Sequence, residues 1–228
     1  MSLTNKPIGI IGALSSETEF LIKQLDDPVK TEMIGTSYYS GKINGKSVVI
    51  VTCGVGKVNA ACITQAMIQK FDVGAIVNTG IAGGIDKKIK PCDVVISNEL
   101  VYHDFVTDVP VFEAFKADKT LMSLAENACK EIRENRDFNH YIGLIATGDQ
   151  FVTDSETKAK IAKEVDPLCV EMEGGAIAHC SVINNVPFVV IRAISDTADD
   201  NAIISFYEFK EIASNMSASI VMSILKNI

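Results

Sequence analysis

The chain has 228 residues, 47% hydrophobic and 22% charged, enough to bury a substantial core. A formal net charge of −8, no Trp and few aromatics argue against a nucleic-acid partner, which calls for accumulated cations and stacking rings. No apolar run reaches membrane-spanning length, and Ile8–Leu14 is too short for a signal core, so the cytoplasm is the expected compartment. Cys53, Cys62, Cys92, Cys129, Cys169 and Cys180 include no C-x-x-C pair and read as reduced thiols.

Short Val/Ile-rich runs alternate with segments of helical period, the pattern of an α/β sheet protein. Ile8–Gly12 reads as a buried strand and Ser15–Leu25 as a helix capped by Ser15 or Ser16. Tyr38–Ile43 and Ser47–Thr52 flank Asn44-Gly45, a two-residue hairpin signal, so the sheet is expected to be mixed. Lys57–Phe71 is helical, with Val58, Cys62, Ala66 and Ile68 near one stripe, and Ala75–Asn78 is a strand running into Gly80, Gly83 and Gly84. Strands follow at Asp93–Tyr102, Tyr141–Thr147, Leu168–Met172 and Pro187–Ile194. Helices are expected at Asp118–Asn135, Ser155–Glu164, Gly175–Asn184 and Ser205–Lys226. With no linker or repeat, residues 1–228 read as one domain, its polar first six residues loose.

Ligands in α/β sheets gather beyond the C-terminal ends of strands. Glu17, Gly54-Val55-Gly56, Gly80 to Gly84, Gly148 to Phe151, Glu171-Met172-Glu173, Arg192, Ser195 and Asp196 all follow predicted strands. Each alone has a plain structural explanation. Glu17 suits the first turn of a helix, Glu171 and Glu173 suit helix caps, Asp196 suits a turn, and Arg192 suits a partner for one of these acids. The glycine spacings match neither a dinucleotide fingerprint nor a P-loop. His103 lies at a strand end near the candidate site, while His140 and His179 have no partner at metal-ligand spacing, so neither a metal nor a cofactor is expected.

Taken together, Ile8-Gly-Ile-Ile-Gly-Ala13, Gly54-Val-Gly-Lys-Val58, Asn78-Thr-Gly-Ile-Ala-Gly-Gly84, Gly148-Asp-Gln-Phe151, Val170-Glu-Met-Glu173 and Arg192-Ala-Ile-Ser-Asp196, then Ser205-Phe206, resemble the nucleoside phosphorylase/nucleosidase superfamily. Within it they are most similar to the 5′-methylthioadenosine/S-adenosylhomocysteine nucleosidases. The resemblance implies a three-layer αβα fold around a mixed sheet, and hydrolysis of the N-glycosidic bond of an adenine nucleoside. It implies that Asp196 protonates adenine N7, held by Ser195, while Glu17 activates water with Arg192 beside it. Glu173 would bind the ribose hydroxyls with Met172 against the sugar, Phe151 would stack on adenine, the Val152 backbone would read its edge, and Phe206 would close the pocket. Val55, Ile81 and Glu171 complete the expected lining.

A phosphorylase on the same fold is the nearest alternative. It needs cations around its oxyanion, whereas Gly12 to Phe20 contains no Arg or Lys and offers Glu17 and Glu19. A nucleoside-binding protein without activity is the other alternative, suggested by Ile81 where relatives often carry Ser or Thr, and by a short segment after Asp104. The resemblance implies a homodimer in which residues 105–113, with Val106, Pro110 and Phe112, complete the partner's pocket at the 5′ end. The 5′ substituent is left open between methylthio, homocysteinyl and a plain 5′-deoxy group.

Overall fold

In the computed structural model, residues 6–105 and 114–228 are described. The expectations for the first six residues, except Lys6, and for Val106, Pro110 and Phe112 lie outside them. Ten strands of the described residues share one mixed sheet. They are β1 (Ile8–Gly12), β2 (Asp26–Met33), β3 (Thr36–Ile43), β4 (Lys46–Thr52), β5 (Ala75–Gly84), β6 (Val94–Tyr102), β7 (Phe115–Lys116), β8 (His140–Thr147), β9 (Cys169–Glu171) and β10 (Phe188–Asp196). The helices are α1 (Ser15–Ile22), α2 (Lys57–Phe71), α3 (Lys119–Arg133), α4 (Ser155–Glu164), α5 (Gly174–Ile183) and α6 (Ala202–Asn227).

The centre of the sheet runs β10-β5-β1-β4 in parallel, with β3 and β2 added antiparallel at one edge. Successive residues of a strand face opposite sides, so Ile10 enters one core with Leu21, Leu121 and Ile220, and Ile11 enters the other with Ile63 and Ile177. Helices therefore cover both faces, and β1 is buried at every position. The layered α/β architecture is the one expected. None of the helices among the described residues is long and apolar enough to cross a membrane.

On the far side of β10 the sheet reverses. Strand β6 pairs antiparallel with β10, β8 and β9 run parallel to β6, and β9 returns antiparallel to the end of β5. Since β5 also pairs with β10, strands β10, β6, β8, β9 and β5 close into a ring. The motifs thus do not all follow parallel strands to one rim. Those after β8 and β9 reach the site because Val170 pairs with Gly83.

Several local expectations change. Asn44 and Gly45 have φ of +51° and +76°, as the predicted tight turn requires. Helix α1 stops at Ile22, three residues short of the expected end, and its N-cap is Leu14 rather than a serine. In α2, Ala60, Ile63, Thr64 and Met67 are buried; Val58 is 74% exposed and Cys62 exposed, so the stripe is rotated from the one expected. Strand β2 carries Asp26, Asp27 and Pro28 and gives no alternating signal, because it is a mostly exposed edge that pairs only with β3.

Candidate active site

A cavity of about 500 Å³ opens where β1, β4, β5, β9 and β10 end. Glu17, Val55, Ile81, Phe151, Glu171, Met172, Glu173, Ser195, Asp196 and Phe206, ten of the twelve candidates, line it. The exceptions are informative. Arg192 is fully buried behind the wall, and the Val152 side chain packs with Ala146, Ile161 and Val170 rather than lining the cavity. His103 is not in the wall; its ring packs against Gly148.

Glu17 owes its position to the first turn of α1. Its Oε2 accepts from the backbone N–H groups of Ala13 (2.6 Å) and Leu14 (2.9 Å), and its Oε1 accepts from the Ile81 N–H at 3.0 Å. The helix-start explanation and the functional one are both satisfied. The carboxyl is 2% exposed, and burial raises its pKa against the opposing pull of Arg192 and these N–H groups.

Gly80 makes room for this arrangement. A Cβ there would overlap Arg192 Nη1 and lie 2.7 Å from Glu17 Oε1. The Arg192 Nη2 donates to Asn78 Oδ1 at 2.8 Å and to Glu171, and it lies 3.7 Å from Glu173. Burial alone would push the guanidinium down, but Glu171, Glu173 and Glu17 hold it well above its ordinary value. Among the described residues its Nε and Nη1 have no hydrogen-bond partner.

The Glu171 carboxylate is occupied by the protein. It accepts from Thr147 Oγ1, Arg192, and the N–H groups of Glu173 (2.9 Å) and Gly174 (2.6 Å), thereby fixing the start of α5. Glu173 accepts from Gly56 N–H at 2.9 Å. Burial, then the nearby Glu171, pushes its carboxyl up to about 8. Asp196 accepts from Ser195 Oγ and Ala198 N–H, both at 2.8 Å, and burial raises it despite those bonds. Phe151 and Phe206 meet edge to face at 5.4 Å across the mouth.

Sequence reasoning missed Asn78 and Thr147, which orient Arg192 and Glu171, and also the lining residues Ile203 and Tyr207. The first two had a usable signal. Each is a polar side chain inside an apolar strand, fully buried, and such a group needs a partner.

This cavity, lined by four acids and by Phe151 and Phe206 on a ring-closed mixed sheet, has the make-up of a nucleoside-processing site, and comparison with known proteins agrees. The model of the phosphorylase superfamily matches residues 7–226. A 5′-methylthioadenosine/S-adenosylhomocysteine nucleosidase of Exiguobacterium sp. is 42% identical, covering 97% of this chain and 98% of the relative. The crystal structure of the nucleosidase of that description from Neisseria meningitidis, in complex with methylthio-immucillin-A, superposes with TM-score 0.92 at 37% identity, covering 98% of this chain and all of that one. Futalosine hydrolase of Helicobacter pylori, at 28% identity, has TM-score 0.89 over 98% of each chain. The chain belongs to the 5′-methylthioadenosine/S-adenosylhomocysteine nucleosidase family of the phosphorylase superfamily.

Proposed function

We propose that the protein hydrolyses the N-glycosidic bond of 5′-methylthioadenosine and S-adenosylhomocysteine, releasing adenine and the 5′-substituted ribose. The observation that carries this is the pairing of Glu17 and Asp196, two buried carboxyls with raised pKa, on one cavity with no Lys or Arg among its described lining residues.

Adenine leaves only once a proton offsets the electron pair it takes from C1′. Asp196, its pKa raised by burial and its carboxyl aimed by Ser195 and Ala198, donates to N7 as the C1′–N9 bond breaks. The sugar becomes oxocarbenium-like, and the surrounding carboxylates stabilise that charge. Water adds its oxygen to C1′ and passes its proton to Glu17, whose raised pKa makes it the better acceptor. An acid and a base flanking the sugar follow the logic of inverting glycosidases.

Glu173 takes the ribose hydroxyls, with Met172 against the sugar. Phe151 stacks on the base, the Val152 backbone reads its edge, and Phe206 with Ile203 and Tyr207 covers the 5′ end. Glu171 acts here by holding Arg192 and the start of α5. A phosphorylase would place its anion beside Glu17, which repels it. Assay of adenine release with Asp196→Asn tests the assignment: turnover drops at least about 1,000-fold with the fold retained. Undiminished release would overturn the acid, and ribose 1-phosphate as product would overturn the hydrolase.

We further propose a cytoplasmic homodimer. Six free cysteines suit a reducing compartment. Val58 on α2, Ile183 (63% exposed) on α5 and Ile34 (56% exposed) in the β2–β3 turn line one surface groove together with Tyr102.

A further inference from the structure

Helix α4 lies outside the motifs that define the site, yet it grips the loop that follows the acid. The Lys158 Nζ donates to Thr197 O at 2.5 Å and lies 4.0 Å from Asp199 Oδ2. One turn earlier, Ser155 Oγ donates to Asp200 Oδ2 at 2.5 Å. The loop is internally braced as well. Thr197 Oγ1 donates to Asp199 Oδ2 at 2.8 Å, and the Asn201 N–H donates to Asp199 Oδ1 at 3.0 Å.

Both ends of this loop reach the cavity. At its start, Ala198 takes φ of +49°, a left-handed conformation that a non-glycine residue holds only when surroundings enforce it, and so aims its N–H at Asp196 Oδ1. At its end, α6 begins with Ala202 and presents Ile203, Phe206 and Tyr207 to the cavity. Helix α4 itself starts at Ser155, three residues after Val152, with Asp154 accepting from the Thr157 N–H at 2.7 Å as its cap.

We propose that Lys158 is a positioning residue for the acid, clamping the 197–201 loop to α4 so that Asp196 keeps its donor geometry. This rests on Asp196 as the acid. The side chain is 23% exposed in Lys158 and 28% in Asp199, so the contact is partly shielded rather than a free surface pair. A loop 1 Å out of place weakens proton transfer without touching the base or ribose contacts. The groups facing Asp196 are Lys158 from α4, Asp199 from the loop, Ser195 beside it on β10 and Cys169 from β9. Lys158 is the cation of this set, and it opposes the upward push of burial and Asp199.

The test is Lys158→Met, with Lys158→Arg as conservative rescue, followed by steady-state kinetics on methylthioadenosine from pH 5 to 9. Expected for the Met variant is a kcat lowered about tenfold with KM changed less than about threefold. Its alkaline limb moves to higher pH, because the acid without its neighbouring cation holds the proton longer. Arg restores most of both. Should Lys158→Met fail to fold, Ser155→Ala removes the other tie without changing charge, and it lowers kcat with the pH limb unmoved. Unchanged kcat and limb in a folded Lys158→Met, or a loss that Arg does not rescue, overturns the proposal. If Asp196→Asn is inactive while Lys158→Met is normal, only the clamp fails; if Asp196→Asn stays active, the acid assignment itself has failed.

Discussion

Glu173 carries a charge conflict that is useful for binding and harmful for folding, and Glu173→Gln separates the two. The side chain is 5% exposed, near Glu171, with Arg192 at 3.7 Å as its partial compensation. Its carboxyl rises from 4.5 to about 8 on folding. A raised acid is no burden below its unfolded pKa, becomes one between pH 4.5 and 8, and remains one above that. That interval corresponds to on the order of 5 kcal/mol of stability lost at alkaline pH. Gln keeps an acceptor for the Gly56 N–H and removes the titration. Thermal unfolding at pH 5 and pH 8.5 is the assay. The variant matches wild type at pH 5 to within about 1 kcal/mol and exceeds it at pH 8.5 by several. The same variant loses about 100-fold in kcat/KM at pH 8.5, where Glu173 is ionised and its proposed diol contacts lose a charged acceptor. A stability difference that does not grow with pH, or that favours wild type at pH 8.5, would refute the reasoning.

Gly80→Ala places a methyl against Arg192 Nη1 and Glu17 Oε1, both buried and held, and overpacking of this kind costs about 3 kcal/mol. Circular-dichroism melts should show a drop of several degrees together with near-complete loss of adenine release; wild-type kcat would contradict the placement of the three groups. For assembly, sedimentation of the wild type gives a dimer at micromolar concentration, and Val58→Asp with Ile183→Asp shifts it to monomer. A wild-type monomer that is fully active would remove the partner loop from the site.

Legibility followed chemistry more than geometry. Strands β1, β4 and β10 were readable because burial on both faces leaves uninterrupted apolar runs. Strand β5 was read only as far as Asn78, because Gly80, Gly83 and Gly84 carry no strand propensity. Those glycines lie in the strand to admit Arg192, Glu17 and Asp196, and the function that they serve hides the element. The acids were found through their motifs, but the means of bringing them together was not. Nothing in β9, three residues long, announces that it turns back antiparallel along β5 and delivers Glu171 and Glu173 to the end where Glu17 waits. Asn78 and Thr147 show the opposite case, with a signal present and unused.

The distribution of charge distinguishes the chemistry that this fold can support. Glu17, Glu171 and Glu173 surround one arginine, which Glu171 already engages, and Asp196 lines the same cavity. A neutral nucleoside in its ground state gains little from such an excess of carboxyls. As the glycosidic bond breaks, the sugar turns cationic, and the same excess favours the transition state over the substrate, which is the condition for catalysis rather than mere binding. A phosphate nucleophile would enter this field against repulsion, and water enters without it. Burial, rather than mutual repulsion among these acids, raises the pKa of both Glu17 and Asp196, which suits the proposed roles of base and acid.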